Sequence, residues 1–568
     1  MKYLLVSVFA IMISTSNYSQ ELEWAFSMGG IETDHARSIV TDSNNNVYAT
    51  GFFTGTSDYD PSSGIAEITS NGMQDIFITK LNSEGNFMWV RSIGGVNEDT
   101  ANDIFIDANN DIYVTGVFYG TVDFDPGTGS FELSAEGDYD GFLLKMNSDG
   151  EFLWAIKIGG ENLDNSYSVA IDSSFNVFVS GYFQGTVDFD PGIGVQNIVA
   201  NGEIDLYIVK LDSNGDFIWV KTVGGTGIDD IIVNYGISLD PSQNLVLSGY
   251  YGGTIDFDPG VGIQSQTSNG LKDAFILKLN SNGDYLWNIG FGSEEGFESS
   301  YELKTDSLGN IYVSGAFSYE MDVDPGVGTF ILTATNGAID NAFVIKYDEF
   351  GELVWANSFG GNLFTRSYSM TLDNAEQPVV LIKYSGTVDF DPGADEYLLT
   401  SNGSFDVALV RLKDDGTFYW ARSMGGTDTD FPLSVVTDTH NDILITGYFL
   451  GISDYDPGNG VFNLQSAGFK DVFLVKITND VLSISDNNLE PNLIVYPNPT
   501  EGAININTSQ IMYQLEVNIW NNLGQLVHSD SRQFTNHMIV NLTSEAGMYF
   551  CEIRLNGNFH SVIKIIKK

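Results

Sequence analysis

The sequence predicts an all-β fold built from seven copies of one unit, and two markers that run in step predict it. Trp recurs at positions 24, 89, 154, 219, 287, 355 and 420, with steps of 65, 65, 65, 68, 68 and 65 residues. An Asp-x-Asp-Pro element keeps the same spacing: Asp58 and Asp60, Asp123 and Asp125, Asp188 and Asp190, Asp256 and Asp258, Asp322 and Asp324, Asp389 and Asp391, Asp454 and Asp456. Two independent markers at one period specify a repeat architecture. No segment sustains a helical period.

Each copy reads as four strands. In the second complete copy these are DIFIDAN, DIYVTGVF, GFLLKMN and FLWAIKIGG. Each alternates or runs apolar over five to eight residues, and Asn, Asp and Gly separate them, as at Asn109, Asn110 and Asp111 or in the Asn147 to Gly150 loop. An extra excursion carrying the Asp-x-Asp-Pro element lies between the second and third strands. Seven four-stranded units with like terminal copies fit a seven-bladed β-propeller, whose radial closure removes long free edges; a linear solenoid would need dissimilar caps. The chain opens on EWAFSMGG, a fourth strand, and the last copy ends on VFLVKITN, a third. The first strand is therefore expected to complete the seventh blade.

These units (VTDSNNNVYATGFF, FIDANNDIYVTGVF and AIDSSFNVFVSGYF, each followed by a Lys-bearing strand and a Trp strand) resemble the seven-bladed β-propeller repeat family of bacterial exported proteins over residues 21–479. That resemblance implies a fold and no particular activity.

Composition narrows the function. Of a net charge of −51 almost all lies upstream of Asp486, since the stretch from there onward carries 7 acidic and 5 basic residues. A surface so acidic repels nucleic acid and anionic lipid, and attracts cations or basic partners. Residues 1–20 have Lys2, an apolar run from Tyr3 to Ile13 and a small polar end, which predicts a secretory signal peptide with cleavage after Ser16 or Ser19. No later run reaches the ~20 apolar residues of a membrane span. Cys551 is the single cysteine, so disulfides within the chain are excluded, and the thiol is read as an inert small hydrophobe. A monomer is expected.

After the repeats, residues 480–492 read as a polar linker and 493–568 as a small antiparallel β-sandwich of Ig-like type. Its elements are Pro497, Asn498 and Pro499 with Gly502, the turn around Gly524, Gly547 with Tyr549, and the basic end Lys564, Lys567 and Lys568. They resemble, in order, the type A C-terminal sorting domain of the Bacteroidetes type IX secretion system. The resemblance implies recognition by that machinery, export across the outer membrane, and a location outside the cell or attached to its surface. The alternative is an adhesive sandwich retained in the mature protein.

Three constellations are candidates for chemistry. In the Asp-x-Asp-Pro element the carboxylates at i and i+2 of an extended segment share a face about 7 Å apart, a spacing suited to a shared Ca²⁺; the same Asp-Pro-Gly sequence also forms a turn with no ion. The segments after the Gly-Gly pairs should gather at one face around the central channel. They carry Glu32 and Asp34, Glu98 and Asp99, Glu161 and Asp164, Asp229 and Asp230, Glu294 and Glu295, and Asp428 and Asp430, with Arg366 breaking the series. In a ring these would focus negative potential on the channel mouth and bind a cation or basic partner, or form a solvated rim. Finally, the N-S-x-G-x-x-x-W element resembles the Asp-box of sialidase-like propellers but has a different aromatic spacing, so it is read as a hairpin, with the Trp rings as wedges between blades.

Catalytic signals are sparse. The repeats contain only His35 and His440, and no Gly-rich phosphate loop precedes a helix. The favoured function is a secreted or surface-attached scaffold binding glycan, protein or cation; the alternative is a carboxylate-dependent polysaccharide hydrolase or lyase, with the deviant fourth to sixth units as its best hint.

Overall fold

The structure is a computed structural model that describes residues 21–227, 231–326, 328–335, 339–478, 493–496, 499–500, 502–521, 523, 525–555 and 558–568. The chain divides into two compact units, Glu21–Asn479 and one that includes Asp480–Lys568. Both are all-β.

In the first unit the described residues form seven sheets of four long antiparallel strands. One sheet runs Asp34–Thr41, Val47–Phe53, Asp75–Leu81 and Phe87–Ile93, in that order from inner to outer strand. The second and third strands are buried along their whole length, whereas the outer strand is largely half-buried. Their near-continuous apolar runs need cover on both faces, and the neighbouring sheets supply it. The inner strands touch in cyclic order, Asp34–Thr41 meeting both Thr100–Ile106 and Asp430–Thr437. The sheets thus form a closed, propeller-like circle.

The closing sheet is assembled from both ends of the unit. Glu21–Gly30 lies antiparallel against Asp471–Thr478, with Trp24 opposite Lys476 and Met28 opposite Val472.

A second interlock joins neighbouring sheets. The hairpin Thr186–Asp188/Asn197–Val199, inserted between the second and third strands of one sheet, pairs back onto the outer strand of the preceding one, Asp188 opposite Gly159 and Val187 opposite Gly160. The ladder recurs at Gly29, Gly224, Gly360 and Gly425, opposite Asp58, Asp256, Asp389 and Asp454. The Gly-Gly pair is needed for space. A Cβ on Gly160 would lie 2.3 Å from the Thr186 carbonyl oxygen, and one on Gly159 2.5 Å from Cγ of Asp140.

The Trp rings are a third contact between sheets. Gly150, at φ 72°, would bring a Cβ to 3.1 Å from the Trp89 ring of the preceding sheet, and Gly416 approaches Trp355 in the same way. At the ring closure Gly85 lies against Trp24 and Phe26. Each third strand also buries a cation, which in several sheets pairs with the Asp that caps the turn after the inner strand: Lys278 to Asp240 at 2.9 Å, Lys476 to Asp438 at 3.1 Å, and Arg411 on Asp373. With Asp442 and His440, Asp438 forms an acidic cluster whose charge the Lys476 ammonium already meets.

In the second unit the strands pair in the order Leu493–Tyr496, Ala503–Asn521, Gly547–Leu555, Asn558–Lys567, and Leu526–Asn541 pairs with Ala503–Asn521. Both halves of the long strand pair with Leu526–Asn541, with a register break between Asn507 and Met512, and on the other edge the first half meets Leu493–Tyr496 and the second Gly547–Leu555. Ile504, Ile506, Met538 and Val540 from one half share a core with Leu515, Val517, Cys551 and Ile565 from the other. Cys551 is fully buried, and burial pushes its thiol up to about 12.

The interlock gives a direct prediction. Gly160→Ala, which sets a Cβ against backbone, should lower unfolding stability by about 1–3 kcal/mol in urea titrations. Ala at the exposed Gly192 position of the hairpin tip should leave the midpoint within error.

Candidate binding site at the channel mouth

Every inner strand carries one β-bulge. Register with the second strand slips between Ala36 and Ser38, Ala101 and Asp103, Ser166 and Ser168, Asn234 and Gly236, Ser300 and Glu302, Ser367 and Ser369, and Pro432 and Ser434. A bulge leaves one residue unpaired and re-aims its side chain. The residues released are Arg37, Asn102, Tyr167, Tyr235, Tyr301, Tyr368 and Leu433. All seven line one recess of about 410 Å³, together with His35, Phe431 and Tyr448.

The rings form a continuous arc. Centroid distances are 5.2 Å from Tyr167 to Tyr235, 5.5 Å to Tyr301, 5.6 Å to Tyr368, 4.8 Å to Phe431, 4.9 Å to Tyr448 and 3.9 Å to His35. Burial is the main reason the Tyr368 hydroxyl is pushed up to about 12, so the tyrosines are neutral donors near pH 7. His35 is held down to about 3, by burial first and then by Lys470 and Arg37, and is neutral as well.

Polar groups complete the lining. Arg37 Nη1 donates to Asn102 Oδ1 at 2.8 Å, and Asn102 donates on to Asn165 Oδ1 and the Ser166 carbonyl oxygen, each at 2.9 Å. Deeper, a channel space of about 520 Å³ contains Asp103 and Glu302. Asp103 is held by Ser38 Oγ at 2.9 Å, Ser168 Oγ at 3.0 Å and the Val169 amide at 3.1 Å. Glu302 takes Lys304 at 3.1 Å and Ser369 Oγ at 3.2 Å.

Among the described residues, the acids expected at this mouth lie elsewhere, and none of them lines the recess. Asp34, Asp99, Asp164 and Asp430 are fully buried and accept the amides of Gly30, Gly95, Gly160 and Gly426 at 2.7–2.8 Å. They staple the Gly-Gly turn to the next inner strand. Glu32, Glu161 and Asp428 are exposed, Glu98 accepts the Tyr139 hydroxyl at 2.7 Å, and Glu294 and Glu295 line a separate recess beside Tyr319. Arg366 is bound to Asp340, its Nε at 2.8 Å and its Nη2 at 2.6 Å. Asp229 and Asp230 lie outside the described residues.

The Asp-x-Asp-Pro carboxylates are used within their own loops, identically in all seven. Asp123 Oδ1 accepts the amides of Asp125 at 3.1 Å and Phe131 at 2.7 Å, and Asp125 Oδ1 accepts that of Gly127 at 2.8 Å. The same triplet of bonds holds the loops of Asp58/Asp60, Asp188/Asp190, Asp256/Asp258, Asp322/Asp324, Asp389/Asp391 and Asp454/Asp456. Protein donors account for the turn without an ion.

In the second unit the Thr500 hydroxyl accepts from the Gly502 amide at 3.0 Å, the Tyr549 hydroxyl donates to the Glu545 carbonyl at 2.6 Å, and Lys567 lies on the Ser544 carbonyl opposite Gly547. Pro499 and Lys568 are exposed and Lys564 is half-buried. Pro497, Asn498 and Gly524 lie outside the described residues.

Residues 494–568 match the family described as Secretion system C-terminal sorting domain. An uncharacterized WD repeat-containing protein of Acanthamoeba polyphaga mimivirus is 24% identical over 500 residues, 75% of this chain and 36% of the relative. The regulatory protein FlaEY of Caulobacter vibrioides is 25% identical over 185 residues, 32% of this chain and 18% of the relative. The chain thus spans well under half the length of either. Among solved structures, the extracellular domain of a hybrid two component system from B. thetaiotaomicron aligns at 11% identity with a TM-score of 0.16, covering 96% of this chain and all of that one. Dimeric latent PorU from Porphyromonas gingivalis aligns at 10% with a TM-score of 0.12, covering 64% and 31%.

The staples make stability pH-dependent. Each buried Asp or Glu of the turn faces a second carboxyl at the start of a third strand. Burial first, and the partner's charge after it, raises Asp34, Asp164, Asp406 and Glu298 to about 7 and Asp99 to about 6; burial raises Asp140 and Asp471 to about 6. Groups raised on folding take up protons, so their contribution is complete below the ordinary carboxyl range and is lost as pH rises through 6 to 7. The melting temperature of the repeat unit should fall by about 5 °C or more between pH 5 and pH 8 in scanning calorimetry. A flat or rising profile would contradict this assignment of the staples.

Proposed function

We propose that residues 21–479 act as a seven-bladed binding scaffold exported through the type IX secretion system, delivered outside the cell or onto its surface by residues 493–568, with the ligand site at the aromatic channel mouth. The observation that carries this reading is the contrast between uniform and divergent positions. The hairpins, Gly-Gly turns and Trp wedges repeat almost unchanged around the ring, whereas the seven bulge residues that meet in one recess are Arg, Asn, four Tyr and Leu. A merely structural position would have no reason to differ from sheet to sheet while facing a shared space.

Binding is favoured over hydrolysis by the lining. A two-carboxylate mechanism needs paired acids facing the substrate, and among the described residues no carboxylate lines the recess. Asp103 and Glu302, deeper in the channel, are held by their own hydrogen bonds. The sorting-domain match supports the export half of the proposal.

Two measurements test it. On a glycan array the full repeat unit should bind a definable set of structures, and the double variant Tyr235→Ala/Tyr301→Ala should lose at least ten-fold in affinity while retaining its circular dichroism spectrum. Retention of full affinity would place the ligand elsewhere. In a producing cell, removal of residues 493–568 should trap the protein inside the outer membrane; unaltered appearance outside would remove the export role.

A further inference from the structure

Charge at the mouth runs against the charge of the molecule. In a chain of net charge −51, Arg37 is the charged side chain that lines this recess, with Lys383 and Lys470 against its aromatic rings, and the carboxylates Asp103 and Glu302 belong to the adjoining channel space. Arg37 is half-buried and makes no ion pair among the described residues; its one described hydrogen bond goes to the neutral Asn102. Burial lowers its pKa from the ordinary value, the mark of a guanidinium deprived of water without a counter-charge. Lys470 sits 4.6 Å from the Tyr448 ring centroid, and Lys383 lies 4.0 Å from that of Phe431 and 3.9 Å from that of Phe405. Neither makes an ion pair among the described residues, and Lys383 is held down to about 8 by burial and Arg366.

The carboxylates that might have compensated Arg37 are committed. Asp103 accepts two hydroxyls and two backbone amides. Arg366 already holds Asp340, and Asp34 is engaged by Gly30 and by the Ser57 hydroxyl at 2.7 Å. Next to Arg37, His35 Nε2 is buried with no hydrogen-bond partner among the described residues.

We infer that the mouth takes a carboxylate-bearing sugar ring, a uronic-acid saccharide, with Arg37 as anchor of the carboxylate and the tyrosine arc as the wall against which the pyranose packs. The inference rests on the mouth being the ligand site. A guanidinium offers two parallel N–H groups to a carboxylate, a match that a neutral sugar cannot use. The apolar C–H face of a pyranose suits an aromatic wall, and the tyrosine hydroxyls suit its hydroxyl edge. About 410 Å³ accommodates one or two sugar residues. An aromatic acid would satisfy Arg37 equally, but it has no use for four hydroxyl-bearing rings where phenylalanine would serve.

The test is calorimetric titration of the full chain with trigalacturonate, the neutral trimer galactotriose and 4-hydroxyphenylacetate. Trigalacturonate should bind at least ten-fold more tightly than galactotriose, and more weakly as salt rises. Arg37→Gln should erase that preference, bringing trigalacturonate down to the affinity of galactotriose for the same variant with the circular dichroism spectrum retained, and Arg37→Lys should keep part of it. Equal binding of both trimers, or an acidic preference that survives Arg37→Gln, would overturn the inference; if Tyr235→Ala/Tyr301→Ala still abolished binding, the mouth would stand as the site. Preference for 4-hydroxyphenylacetate would replace sugar by aromatic acid. Binding of no probe would overturn the ligand class, and binding insensitive to every mouth variant would overturn both readings.

Discussion

The pairing of Glu21–Gly30 with Asp471–Thr478 is the contact on which the rest depends. Without it the seven sheets would be an open row with a free strand edge at one end and an exposed third strand at the other. With it, the inner strands meet in a circle, and the residues they release face one another across a shared space. The channel mouth is therefore a consequence of closure, since no single sheet contains a concave surface. The hairpins reaching back to the Gly-Gly turns add a second belt of contacts, outside the first. The circle is thus fastened near its axis by packing and farther out by backbone pairing.

Much of this architecture was legible in the residues. The Trp spacing and the alternating apolar runs follow from one side chain filling one junction, and both survive translation into structure. The Asp-x-Asp-Pro element and the Gly-Gly pair were equally visible, but as separate signals. Sequence spacing carries no sign that Asp188 lies opposite Gly159, because that pairing joins two sheets. Asp34, Asp99, Asp164 and Asp430 were read as rim charges because an acid in a glycine-rich turn is ordinarily solvated. The hairpin that covers each of them makes them interior groups, and glycine amides replace the water.

The residues that line the channel mouth were the least legible part for a physical reason. A bulge is a property of register between two strands, and nothing local at Arg37 or Tyr235 marks the slip. A weaker signal did exist. Tyr167, Tyr235, Tyr301 and Tyr368 recur at the repeat spacing, two to four residues after the start of each inner strand, where neighbouring copies carry Arg37, Asn102 and Leu433. Variation at one column of an otherwise uniform repeat is the pattern of a site, and it becomes interpretable once the column is known to face the axis. The same placement accounts for the local reversal of charge: surface acids are spread over the loops, while Arg37 is enclosed, and an enclosed charge acts at short range with little screening.

Closure can be examined most directly by native-state amide hydrogen exchange across the joining strands. If the circle is closed as described, the amides of Ala25 to Met28 and of Val472 to Val475 exchange as slowly as those of the internal strands Asp140–Met146 and Phe152–Gly160. If Ala25 to Met28 exchanged at the rate of an unstructured peptide while the internal strands stayed protected, the first strand would not be part of the last sheet, and the circle, its channel and its mouth would have to be abandoned together.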